Sequence, residues 1–152
     1  MRKILQRITT GTLLLCSLTL AAQEKGNWHA TSNTARSITG DVVLSDNKLT
    51  INFLAFAIAR IRALEKSEVS AVFDADSNAE GAGSLYRLNV PATTKFLHKN
   101  SLCGGEDTHW MVTYVTGRTL QLAFFSGQKS PTFAPEAIAN STDLCGTFTY
   151  TK

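Results

Sequence analysis

HWMVTYVTGRTLQLAFFSG (residues 109–127) decides how the rest of the chain is read. Two runs rich in β-branched and aromatic residues flank Thr116-Gly117, and a glycine between such runs marks a hairpin turn. Working outward, similar segments recur. SITGDVVLS (37–45) and KLTINFLAF (48–56) flank Asp46-Asn47, a second hairpin turn. In the latter run Leu49, Ile51 and Phe53 fall on one strand face, Thr50 and Asn52 on the other. EVSAVFDA (68–75) and SLYRLNV (84–90) read as strands around the loop DSNAEGAG (76–83), and GTFTYTK (146–152) ends the chain as a strand.

Two stretches favour helix instead. PATTKFLHKN (91–100) reads as a short helix with Pro91 near its start, and PEAIANS (135–141) as a further turn. LAFAIARIRALEKSE (54–68) carries both periods. Ile58, Ile61 and Leu64 are helix-spaced, Phe56, Ile58 and Arg60 alternate as in a strand, and the preferred reading is a strand that bends into a helical turn. The expected fold is a mainly β antiparallel domain of six to eight strands, a small barrel or sandwich with one or two short helices and one disulfide.

The N-terminus reads as an address. Arg2, Lys3 and Arg7 precede the apolar run Leu13–Leu20, and Ala21-Ala22 offer a cleavage site. That order is a signal peptide over residues 1–22, leaving 23–152 as a single mainly β domain, periplasmic or secreted. The apolar run is shorter than the about 20 residues a spanning helix needs, so no stable membrane insertion is expected after cleavage. Cys16 follows Leu15 rather than a small residue and is expected to leave with the leader. The full chain has 15 Lys+Arg against 12 Asp+Glu, and three of the former and none of the latter lie in the leader. The remainder is 12 against 12, without the basic footprint that nucleic acid requires.

Past the leader two cysteines remain, Cys103 in SLCGG and Cys145 in DLCGT. In an oxidising compartment an isolated pair is most simply one structural disulfide. A redox pair would favour CxxC spacing, and zinc would need ligands beyond the scattered His29, His98 and His109, so no metal or cofactor is expected.

GNWHA (26–30) puts Gly-x-Trp at the start of the domain and resembles the opening of lipocalins, which implies that Trp28 plugs one end of a barrel. More broadly, the series SITGDVVLS, LYRLNVP, NSLCGG, LAFFSG and LCGTFTY looks like small exported proteobacterial proteins without assigned activity. That likeness implies a periplasmic or secreted address and brings no catalytic residues with it.

The chemically furnished loop is GGEDTHW (104–110), where Glu106, Asp107 and His109 stand beside Trp110. Arg60 and Arg62, two apart, would share a face of a strand and could meet an acidic partner. GxSxG, HExxH and phosphate-cradling glycine patterns are absent from the sequence. The reading that assumes least is a non-enzymatic binding protein for an unknown small molecule or protein, with Trp28, Arg60, Arg62, Glu106, Asp107, His109 and Trp110 as candidate contacts. The alternative is a proteinaceous inhibitor or immunity factor against a cell-envelope hydrolase, and the third is an enzyme using the 104–110 loop. An interior cavity lined by Trp28, Phe53 and Tyr114 would favour a carrier, and a filled interior with one protruding loop an inhibitor. His109, Glu106 and a serine or second histidine converging in a cleft would favour an enzyme.

Overall fold

The computed structural model describes residues 24–152, so the leader with Cys16 lies outside the described residues. Eight strands follow one another: β1 (Gly26–Ala30), β2 (Val42–Leu44), β3 (Lys48–Ile51), β4 (Leu54–Ala63), β5 (Ala82–Val90), β6 (Thr108–Thr116), β7 (Thr119–Phe125) and β8 (Leu144–Thr151). Each pairs antiparallel with the next and β8 pairs with β1, closing a barrel. Short helices α1 (Asn33–Ile38), α2 (Lys66–Phe73) and α3 (Pro135–Ala139), with a 3₁₀ turn at Leu97–Lys99, lie in the connections. Three helices thus stand where one or two were expected. Among the described residues no helix is long and apolar enough to cross a membrane.

Because every strand joins its neighbour, connections alternate between two ends of the barrel. One end gathers both ends of the described chain with residues 45–47, 64–81 and 117–118; the other gathers 31–41, 52–53, 91–107 and 126–143.

The opening hairpin explains why its strands are apolar on both faces. Met111 and Val115 of β6, with Leu120, Leu122 and Phe124 of β7, join Trp28, Leu49, Ile51, Phe148 and Tyr150 in the packed interior. The alternate residues Val112, Ala123 and Phe125 form a second core outside the wall with Val72, Leu85 and Phe133. Helix α2 and the segment bearing Phe133 cover that side. Two-sided burial needs two apolar parities, so these strands read as continuous runs. The fit of α2 on β5 is close: a Cβ on Gly83 would lie 2.6 Å from Val69 Cγ2 and 3.0 Å from Thr113 O, so the helix sits there only because residue 83 has no side chain.

Strand β4 is the converse. Its inward positions hold Phe56 and Ile58, while Ala55, Ala57 and Ala59 face solvent uncovered. Those outward alanines lend the segment its helical character, and the strand does give way to α2 three residues on.

Several local expectations fail for identifiable reasons. Residues 48–56 are not one strand, because Asn52 and Phe53 both take positive φ (47° and 67°) and turn the chain between β3 and β4. Phe53 therefore leaves the face it was expected to share with Leu49 and Ile51. Residues 68–73 are helical rather than extended. The Glu68 carboxylate accepts from Glu65 N at 2.9 Å, and Val69 and Val72 bury one helical face. The first run, 37–45, begins in α1, which is capped by Ser32 Oγ accepting from Ala35 N at 3.1 Å. Residues 91–100 make only the 3₁₀ turn. Arg60 and Arg62 do not share a face, because a β-bulge between them shifts the register from Arg60↔Tyr86 to Arg62↔Leu85.

Cys103 and Cys145 are joined, with Cα atoms 4.9 Å apart. The bridge ties the connection before β6 to the start of β8.

Candidate functional site

The predicted contact residues disperse to three places. Trp28 is fully buried; its Nε1 donates to Glu24 O at 2.7 Å and Lys152 Nζ lies 4.4 Å from the ring centroid. It belongs to the packed interior. Arg60 turns inward and donates from Nε to Ser84 Oγ at 3.1 Å. Arg62 turns outward, forms a two-pronged pair with Glu68 at 2.8 Å each, and places its guanidinium 5.8 Å from the Phe133 ring centroid. The pairing holds the Glu68 carboxyl below its ordinary range and raises that of Arg62. Both arginines are thus occupied in holding the barrel and α2.

Near those arginines the terminus end is closed by polar contacts. Glu24 accepts from the Tyr86 hydroxyl at 2.6 Å and from Thr113 Oγ1 at 2.8 Å. Burial, and then the adjoining carboxylate, push the Tyr86 hydroxyl well above its ordinary value.

The opposite end carries the exposed chemistry. Glu106, Asp107 and His109 do come together there, lining a recess of about 460 Å³ with Ser126, Gln128 and Asp143. Trp110 stands just outside, its Nε1 donating to Gly127 O at 3.0 Å and its ring covered by Arg87 at 4.9 Å. The disulfide secures both walls, since Cys103 leads into the loop 104–107 and Cys145 follows Asp143. His109 is only 6% exposed. Its Nε2 meets the Gln128 side-chain amide at 2.7 Å, while its Nδ1 is buried with no hydrogen-bond partner among the described residues. An unmet polar atom in such a position costs about 1–3 kcal/mol.

A second feature of this end was missed in the sequence. Phe53, at the β3–β4 tip, is 97% exposed. Beside it runs a groove of about 450 Å³ lined by Trp28, His29, Asp41, Val42, Val43 and Leu97, among others. His29 Nδ1 and Asp41 Oδ2 lie 2.8 Å apart on its rim, and Asp41 also accepts from Ala30 N at 2.8 Å. That backbone bond, then His29, hold the Asp41 carboxyl below its ordinary range. A two-residue turn with both φ positive is the geometry for which Asn-Gly is the preferred pair. The chain has Asn52 in the first place and phenylalanine where glycine fits. That residue choice, against backbone preference, is the signal the sequence did carry. Periodicity hid it by placing Phe53 on the inner face of a longer strand.

Comparison with protein-family models, with curated proteins and with solved structures finds no match to this chain. Among the described residues no group of three or more His, Cys, Asp or Glu side chains is gathered to hold a metal ion.

Proposed function

We propose that the protein is an exported, non-enzymatic binding module that grips a partner protein through the β3–β4 hairpin, with Phe53 as the anchor. The observation that carries this reading is Phe53 itself: a bulky aromatic, almost wholly exposed, in a left-handed turn that disfavours it. Strained positions of this kind cluster at functional sites, and buried aromatics dominate protein interfaces. The packed interior argues in the same direction. Tyr114 stacks outward against Phe73 at 5.9 Å and Phe53 projects from the tip, so neither lines an inner cup for a small ligand. An inhibitor or immunity factor against a cell-envelope hydrolase is the form that suits a rigid hairpin presenting one aromatic to a cleft. Export is supported by the leader pattern and by the bridge. Cleavage after Ala22 would also free a chain whose second residue, Glu24, seats at once on Tyr86 and Thr113.

The enzyme reading has its residues but not their linkage. Glu106, His109 and Ser126 share a recess, yet the Ser126 hydroxyl points to Asp143 O at 3.5 Å and His109 Nε2 to Gln128. A nucleophile needs its base within hydrogen-bond reach.

The test is affinity capture from the periplasm of the native host with wild-type, Phe53→Ala and Arg62→Ala baits. One stoichiometric hydrolase should be retained by wild type and by Arg62→Ala, and bound about 30-fold more weakly by Phe53→Ala, the loss expected for an interface aromatic. Equal retention by all three baits, or recovery of a small molecule without a protein, would overturn the reading.

A further inference from the structure

Strand β4 changes partners half-way along. Residues 54–57 pair with β3, from Ile51↔Leu54 to Lys48↔Ala57, and the ladder with β5 begins only at Ile58↔Leu88. Strand β5 does not end there, since it still pairs with β6 at Val90↔Thr108. Continued in register, the β4–β5 ladder would set Ala55 against Pro91, and proline has no N–H to give. Ile58 N donates to Asn47 O at 3.0 Å, towards β3. By the alternation of an antiparallel strand, Phe56 bonds the same way, while Ala55 and Ala57 present N–H and C=O to the opposite edge. Among the described residues no strand pairs with that edge. Behind it the interior is sealed, because Phe96, on the connection after β5, packs against the Phe56 ring at 6.0 Å.

The edge is also undefended. Proteins blunt free edges with lysine, proline, a bulge or a covering segment. Leu54, Ala55, Phe56 and Ala57 include neither residue, three of the four are exposed, and the bulge comes later, between Arg60 and Arg62. Phe53 stands at the start of the edge. We infer that the partner of the Phe53 hairpin lays an extended segment along residues 54–57 as an added strand, its backbone bonding to Ala55 and Ala57. Alternating N–H and C=O groups at strand spacing are matched by an extended chain, and that chemistry names the occupant. The segment is apolar beside Leu54 and carries an acidic residue level with Ala57. Lys48, exposed on the outer face of β3, pairs with Ala57 and stands on the order of 10 Å from an added strand, with only an alanine side chain between. The inference rests on the hairpin reading for the existence of a partner, but the edge and the Phe53 ring are separable contacts.

The experiment follows amide hydrogen exchange by NMR in isotope-labelled protein, produced from the full-length chain in an export-competent host and recovered oxidised, alone and mixed with unlabelled periplasmic extract of the native host. Alone, the Ala55 and Ala57 amides should exchange at nearly the rate of an unstructured chain, while Phe56 and Ile58 are protected by β3. The extract should slow Ala55 and Ala57 about tenfold or more. Ala57→Pro removes an edge N–H without touching the β3 ladder, and should weaken retention of the partner about tenfold, with protection kept at Ile58. Lys48→Glu should weaken it about fivefold. Slowing that survives undiminished in Phe53→Ala supports the edge and sinks the aromatic as anchor. Retention weakened by Phe53→Ala without slowing at Ala55 and Ala57 sinks the edge and leaves the anchor. Protection of both amides in the dilute free protein, or protection that grows with its own concentration and so assigns the edge to a second copy, would overturn the inference. No slowing in the extract would overturn it whether or not Ala57→Pro folds.

Discussion

Where the two ends of the described chain meet, Glu24, Tyr86, Thr113, Arg60 and Ser84 answer one another inside the wall, and Lys152 reaches Lys25 O at 2.7 Å. At the other end the longer connections leave a fully exposed aromatic, a groove and an acidic recess with an unpartnered imidazole nitrogen. The first end spends its polar groups on one another. The second pairs His29 with Asp41, Asp107 with Ala92 N and His109 with Gln128, leaves one imidazole nitrogen unmet, and has the Cys103–Cys145 bridge tying its loops. Unmet groups cost stability wherever they stand, and on the reading proposed above the loop end, with Phe53, is the face that meets the partner.

The largest expected effect comes from breaking what holds that face. The bridged residues are 42 apart in sequence, and opening a loop of that size should remove about 4 kcal/mol in the chain-entropy model. Thermal unfolding of the Cys103→Ser/Cys145→Ser pair, followed by circular dichroism, should show a midpoint lower by about 10 °C or more. Hydrogen exchange should sharpen the comparison, with protection lost first around residues 101–107 and 143–146 and kept at Thr113. A uniform loss would mean that the bridge supports the whole barrel and not one end.

Glu24→Ala breaks the opposite end and should have a smaller effect. It leaves the buried Tyr86 hydroxyl without its acceptor and takes from Thr113 the shorter of its two contacts, for about 2 kcal/mol in urea unfolding. The pH dependence follows from the raised Tyr86 hydroxyl. A folded value above the ordinary 10.0 favours the neutral form, so its contribution is complete below pH 10 and declines as pH rises through the folded value. Phenolate absorbance should therefore lag behind that of a free tyrosine in wild type, and lag less in Glu24→Ala. A lag unchanged by the substitution would assign the shift to burial alone, which is the larger cause.

The class of fold was legible because strand runs and turn residues alternate along most of the chain. Barrel closure was not, since it depends on β1 meeting β8, a pairing no local pattern encodes. The helix at 66–73 was missed because EVSAVF holds enough β-branched residues to pass as a strand, and its capping glutamate is visible only once the helix start is known. Among site residues, Glu106, Asp107 and His109 came together because they lie on one loop and strand start. Arg60 and Arg62 parted because a bulge, invisible to a strict period of two, intervened. Phe53 stayed hidden for the opposite reason: the period of two ran on smoothly through a turn.

That turn gives the smallest effect and the sharpest contrast. A β-carbon at φ 67° costs about 1 kcal/mol that glycine does not incur. Phe53→Gly creates the Asn-Gly pair that this geometry prefers, and it removes a side chain too exposed to contribute packing. The variant should be more stable than wild type by up to about 1 kcal/mol in denaturant unfolding, while Phe53→Ala, which keeps the β-carbon, should gain nothing. Stability rising in the same substitution that weakens partner capture is the signature of a residue kept for contact and not for folding. If Phe53→Gly unfolds more readily than wild type, the aromatic is holding the hairpin against the barrel. The loop end would then hold no residue kept for contact alone.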